Sequence, residues 1–167
     1  AAARGHAAQS DLEIDFECAA AERLLERDTR FDVVIASEVI EHTADPAAFL
    51  ITLAGLLRPG GTVLLTTLNR SAKSMVVAKV LAEYVLRVLP AGTHDWRKFL
   101  TPDELAGMMK TAGFAVSLER GICYSISRDR FELGGDLSVN YAMAGVLDLE
   151  RGGGPEEAFK TQSPENA

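Results

Sequence analysis

Cysteine is almost absent: Cys18 and Cys123 are the two thiols in 167 residues. Each sits inside an apolar, strand-like run, which favours two buried thiols in a reducing compartment over a disulfide or a metal pair. A basic excess is also missing. Lys and Arg number 17 against 24 Asp and Glu, for a net charge of −7, and a nucleic-acid partner would call for a basic face. Long hydrophobic runs are lacking too. The greasiest stretch, Met75 to Leu89, is interrupted by Lys79, Glu83 and Arg87, and is too short and too regularly charged to span a bilayer. No secretory leader is expected from Ala1 to Ala8, which has no charged start, apolar centre or cleavage site. With no initiator Met, these residues read as the tail of a helix cut mid-run. No internal repeat is present.

What is there suffices for one compact domain, since 47% of the side chains are hydrophobic. Strand and helix patterns alternate. Leu12 to Cys18 reads as a strand with Leu12, Ile14 and Phe16 on one face, and Ala21 to Arg27 as a short helix. Phe31 to Ala36 is a continuous apolar, β-branched run, the pattern of a central parallel strand buried on both faces. Pro46 to Leu57 predicts an amphipathic helix capped by Asp45, with Gly60 and Gly61 as its stop, and Thr62 to Leu68 a second buried strand. Thr101 to Glu104 is a capping box with Pro at the first helical position. Its helix runs to about Ala112, where Gly113 supplies a left-handed cap. Strands follow at Ala115 to Leu118 and Leu137 to Ala142, and the Gly-, Pro- and Glu-rich tail predicts disorder. The alternation predicts a doubly wound α/β sheet with right-handed crossovers. Ser71 to Leu89 places Lys79, Glu83 and Arg87 on one helical stripe, and fits either an ordinary buried helix or a lid or interfacial helix.

Ligands in open α/β sheets sit at the carboxyl ends of strands. The Phe31 run ends in Ser37, Glu38, Val39, Ile40, Glu41 and His42. A single helical turn there would bring Glu38, Glu41 and His42 onto one face. Two carboxylates and an imidazole suit a divalent ion. The oxygens favour Mg²⁺ or Mn²⁺, and the imidazole leaves Zn²⁺ or Co²⁺ open, while acidic residues after a buried strand are also common surface residues. With no metal bound, the two carboxylates would raise the His42 pKa and make it a poor base.

FDVVIASEVIEH (from Phe31), with the following DP…FL and LLRPGGTVLLTTLNR, resembles the class I S-adenosylmethionine-dependent methyltransferases from their third strand onward. PAGTHDWRKFLTPDEL (Pro90 to Leu105) is more selective. With SVNYAMAG (Ser138 to Gly145) it resembles the ubiquinone-pathway 3-O-methyltransferases, which act on polyprenyl dihydroxybenzoate and demethylubiquinol. The likeness covers about residues 5 to 145.

That resemblance implies a Rossmann-like class I methyltransferase sheet lacking its first two strands. Residues 1–146 would be the C-terminal part of the domain, 71–98 a lid or membrane-interfacial insert and 147–167 a disordered tail. It implies S-adenosylmethionine as cofactor, touched by Ser37, and a divalent metal, Mg²⁺ foremost, on Glu38, Glu41 and His42. His94, in GTHDW, is a candidate general base or pocket residue, or else a loop histidine bonded to backbone near Trp96. The implied partners are a polyprenylated catechol, a membrane surface touched peripherally and other proteins of ubiquinone biosynthesis. The compartment would be the matrix face of the mitochondrial inner membrane or the bacterial cytoplasmic membrane. Tyr124-Ser125-Ile126 departs from the family's Tyr-Asn-Pro, which implies a different loop near the substrate. The family's glycine-rich turn and ribose-binding acid should precede Ala1. On that basis Leu12 to Cys18 loses its only strand neighbour, and the chain alone is expected to bind no S-adenosylmethionine and to be poorly soluble. Two rivals stand beside this reading: a methyltransferase for a soluble small molecule, and a non-catalytic scaffold with the same fold.

Overall fold

The computed structural model describes residues 2–27, 29–75, 96–125 and 127–148. Its elements are α1 (Ala2–Gln9), α2 (Ala21–Leu25), β1 (Phe31–Ser37), a 3₁₀ turn (Ile40–His42), α3 (Pro46–Leu56) and β2 (Leu57–Leu68). A second 3₁₀ turn (Trp96–Lys98), α4 (Pro102–Thr111), β3 (Phe114–Ser125), β4 (Arg130–Gly134) and β5 (Asn140–Leu147) complete them. The five strands form one mixed sheet in the order β1-β2-β5-β3-β4. β1 and β2 run parallel, and every other pairing is antiparallel.

The local signals act where the sequence places them. The Asp45 side chain accepts from the Ala48 N–H at 3.0 Å, with Pro46 at the first helical position of α3. Thr101 and Glu104 close a full capping box on α4. Gly113 leaves α4 at φ 95°, in the left-handed region where a Cβ is unwelcome. The glycine pair near residue 60 acts otherwise than a helix stop: α3 already ends at Leu56 and β2 begins at Leu57. Gly61 lies so close to β1 that a Cβ there would sit 3.1 Å from the Asp32 carbonyl oxygen.

Helices α2, α3 and α4 pack together over one face of the sheet. Leu50, Leu53 and Leu56 of α3 and Leu105 and Met109 of α4 meet Val63, Leu65, Tyr141 and Met143 from the two central strands. Each such side chain, fully buried, contributes about 1.5–3 kcal/mol. The Tyr141 hydroxyl donates to the Leu100 carbonyl at 3.0 Å, so the largest buried ring carries no stranded polar atom.

Four expectations need correction. Leu12 to Cys18 is not a strand: the residues between Asp11 and Ala21 are irregular and mostly exposed. A strand needs a neighbour for its N–H and C=O groups, and none of the described strands pairs with this segment. It is tied instead by Arg4 donating to the Phe16 carbonyl at 2.6 Å and by the Arg27–Glu17 pair. β1 is likewise not buried on both faces. It pairs with β2 alone, and Val33 and Ile35 are 55% and 65% exposed because no described element covers that side. Both cysteines are exposed, not buried. Cys18 lies in the irregular segment, and Cys123 on the outer part of β3, which pairs with β4. Finally, the last two strands are longer or shifted relative to the pattern, because β3 and β5 pair with each other from Phe114 to Leu147. His94, most of the insert proposed at 71–98 and nearly all of the tail lie outside the described residues. No helix among the described residues is long and apolar enough to cross a membrane.

Candidate cofactor and metal site

The parallel ladder of β1 on β2 sets the site. Ser37 pairs with Thr66 at the carboxyl end of both strands. The Glu38 N–H continues the ladder to the Thr66 carbonyl at 2.9 Å. There the chain breaks direction: Glu38 adopts φ 53°, a conformation that costs a non-glycine residue about 1–2 kcal/mol. Such strain persists where the surroundings hold it, commonly at functional sites.

The surroundings here are two threonines and an asparagine. The Thr66 hydroxyl lies 2.8 Å from the Ser37 hydroxyl and donates to Glu38 Oε1 at 3.0 Å. Asn140 Nδ2, at the start of β5, donates to the same oxygen at 3.3 Å. Thr67, one residue on and facing the core, donates to Glu41 Oε2 at 2.8 Å. Glu41 is only 2% exposed, and its other oxygen, Oε1, is buried without a hydrogen-bond partner. Burial, opposed by the Thr66 bond and reinforced by the Glu41 charge, raises the pKa of Glu38 above the ordinary carboxylate range.

The turn that follows is 3₁₀, not the α-helical turn expected. Glu38, before the turn, and Glu41, inside it, influence each other directly, while His42 is exposed at the end of the turn. Among the described residues no group of three His, Cys, Asp or Glu side chains is placed to hold a metal ion. The structure thus brings Glu38 and Glu41 together, and His42 does not complete a three-ligand group with them. Ser37 presents an exposed hydroxyl at the strand end, where a ligand of an α/β sheet is met.

The pairing of these carboxylates has a measurable consequence. A group whose pKa is raised by folding contributes stability that is complete below its unfolded pKa, about 4.3, and is lost as pH rises through the folded value. Without added cations, Glu38→Gln should melt higher than the parent at neutral pH, and the gain should vanish near pH 4. Equal melting temperatures across that range would mean that neither burial nor the Glu41 charge raises the Glu38 pKa.

Sequence reasoning missed Thr66, Thr67 and Asn140 as site residues. The legible sign for the threonines was their place at the end of an apolar strand, where an isosteric valine would serve packing equally well. Asn140 lay within the SVNY motif.

A family model described as a methyltransferase domain matches residues 2–119. The chain is 48% identical over 145 residues to a ubiquinone biosynthesis O-methyltransferase of Dinoroseobacter shibae, covering 86% of this chain. It is 47% identical over 141 residues to the protein of that name in Nitrobacter winogradskyi, covering 84% of this chain. It spans 58% and 54% of those two proteins' lengths. Among solved structures, one described by the conversion of a disulfide bond into a thioacetal group during echinomycin biosynthesis superposes with TM-score 0.63 at 18% identity. That match covers 99% of this chain and 68% of the other. An O-methyltransferase family protein from Burkholderia thailandensis gives TM-score 0.56 at 22% identity, covering 88% of this chain and 40% of that one. At these identities the structural matches speak for the fold.

Proposed function

The chain belongs to the methyltransferase-domain family, and from that premise we propose that the protein O-methylates the catechol ring of a polyprenylated ubiquinone precursor with the help of a divalent cation. The observation that carries this reading is the acidic pair Glu38 and Glu41, held by Thr66 and Thr67 beside Ser37 at the carboxyl end of the sheet. The relatives' names support O-methylation in ubiquinone biosynthesis, and the polyprenylated catechol follows from the resemblance carried by Pro90 to Leu105 and Ser138 to Gly145. S-adenosylmethionine would supply the methyl group as a sulfonium electrophile, and a divalent cation held by Glu38 and Glu41 would lower the pKa of a catechol hydroxyl as a Lewis acid.

The residues fit such an ion. Two converging carboxylates, one with an orphaned buried oxygen, make an oxygen-rich site of the kind Mg²⁺ and Mn²⁺ prefer. Glu38 and Glu41 would hold it, with His42 as the third ligand that the resemblance implies. Thr66 and Thr67 fix both carboxylates before any ligand arrives, so little ordering remains at the moment of binding. Ser37 offers its hydroxyl to the cofactor. His94 is a candidate for taking the phenol proton. The named relatives are bacterial, which favours a place peripheral to a bacterial cytoplasmic membrane over a mitochondrial one, beside other proteins of ubiquinone biosynthesis.

The test is methyl transfer by the complete protein to a polyprenyl dihydroxybenzoate and to a demethylubiquinol. Chelation should stop the reaction and Mg²⁺ restore it. An undiminished rate after chelation removes the cation from the reading. Methylation of soluble catechols alone would overturn the polyprenylated substrate.

A further inference from the structure

Among the described residues, the buried side-chain atoms that find no hydrogen-bond partner are Glu41 Oε1, Ser138 Oγ and Asn140 Oδ1. All three are oxygens. Two belong to the group around Glu38, and the third lies two residues before Asn140. An unpaired buried carboxylate or amide oxygen is costly to a fold, so Glu41 Oε1 and Asn140 Oδ1 call for a donor or a cation.

Asn140 is held so that its oxygen is free for that purpose. Its Nδ2 is committed to Glu38 Oε1, which leaves Oδ1 pointing away from that bond. Its backbone is fixed on both sides, paired with Leu68 of β2 and Ile122 of β3. The segment leading to it is stitched down as well. Asn69 donates through its N–H to the Val139 carbonyl at 2.8 Å and through Nδ2 to the Leu137 carbonyl at 2.9 Å. Ser71 Oγ donates to the Ser138 carbonyl. A single proton shared between Glu38 and Glu41 would provide one donor for these orphan acceptors. A cation can be met by several oxygens at once, and Asn side-chain carbonyls serve as its neutral ligands.

We propose that Asn140, through Oδ1, is a neutral oxygen ligand of the same divalent cation that Glu38 and Glu41 hold. This rests on the cation reading above. It also supplies a third oxygen beside the two carboxylates.

Binding of Mn²⁺ to the complete protein, read as loss of the free-ion paramagnetic resonance signal at neutral pH, tests it. Asn140→Ala should weaken binding roughly tenfold or more. Asn140→Asp should bind Mn²⁺ at least as tightly as the parent, because it keeps an oxygen and adds a charge. If Asn140 merely steadied Glu38 through Nδ2, the aspartate would repel Glu38 and weaken binding, and that result overturns the proposal. Unchanged binding in Asn140→Ala overturns it too while leaving Glu38 and Glu41 as ligands. A parent that takes up no Mn²⁺ overturns both this inference and the cation reading. Melting in the presence of a chelator confirms that each variant is folded, and the sign of the aspartate effect decides even if the alanine variant is not.

Discussion

Gly121→Ala is expected to cost about 3 kcal/mol or more and to lower the melting temperature by roughly 10 °C. A Cβ at Gly121 would fall 1.9 Å from the Asp136 carbonyl oxygen and 2.5 Å from its carbonyl carbon. Both are backbone atoms, so no rotamer change relieves the clash, and either β3 or the loop entering β5 must move. Gly121 pairs with Gly134 of β4 and Tyr141 of β5 at once, which ties any movement to two strand interfaces. Because that loop delivers Asn140, weaker Mn²⁺ binding should accompany the lost stability. Gly134→Ala is the control: nothing lies within 4 Å of its Cβ position, and its effect should stay near ±0.5 kcal/mol. Calorimetric melting of the two variants side by side is the measurement. A Gly121→Ala protein that melts within a couple of degrees of its parent would show that the loop yields freely.

The parts of the fold legible in the sequence are those governed by local chemistry. Asp45 with Pro46, and Thr101 with Glu104, start helices where they do because side-chain oxygens satisfy first-turn N–H groups, and those signals need no tertiary partner. The errors fall where structure depends on a distant neighbour. Leu12, Ile14 and Phe16 alternate as a strand should, yet alternation cannot supply the ladder that makes one. The run from Phe31 to Ala36 is apolar enough for a doubly covered strand, but coverage belongs to other elements, and Val33 and Ile35 remain exposed. At the site, spacing revealed that Glu38 and Glu41 belong together. It could not reveal whether the turn would be α or 3₁₀. Nor could it show that the partners holding the acids, Thr66, Thr67 and Asn140, come from strands 26 to 102 residues away along the chain.

Glu41→Gln separates a structural carboxylate from a functional one, because the two roles predict opposite signs. The amide keeps an oxygen to accept from Thr67, so the buried bond survives. Its NH₂ replaces the orphaned Oε1 and can donate toward Glu38, with which Glu41 now interacts as a like charge. Packing changes little, since Gln and Glu are nearly isosteric. Without a cation, the variant should therefore melt at the parent temperature or above it. With Mg²⁺ the order should reverse: a ligand that binds the folded state stabilises it by mass action, and the variant has lost an anionic donor. Its melting temperature should no longer rise with Mg²⁺, and methyl transfer by the complete protein should fall by roughly 100-fold, the upper end of what a lost contact in a metal site costs. If the variant instead unfolds in the absence of any cation, Glu41 is an anchor of the core. If it is stable and transfers methyl groups at the parent rate, the acidic pair plays no part in the reaction. The orphaned oxygen of Glu41 would then be a cost the fold carries for some other reason.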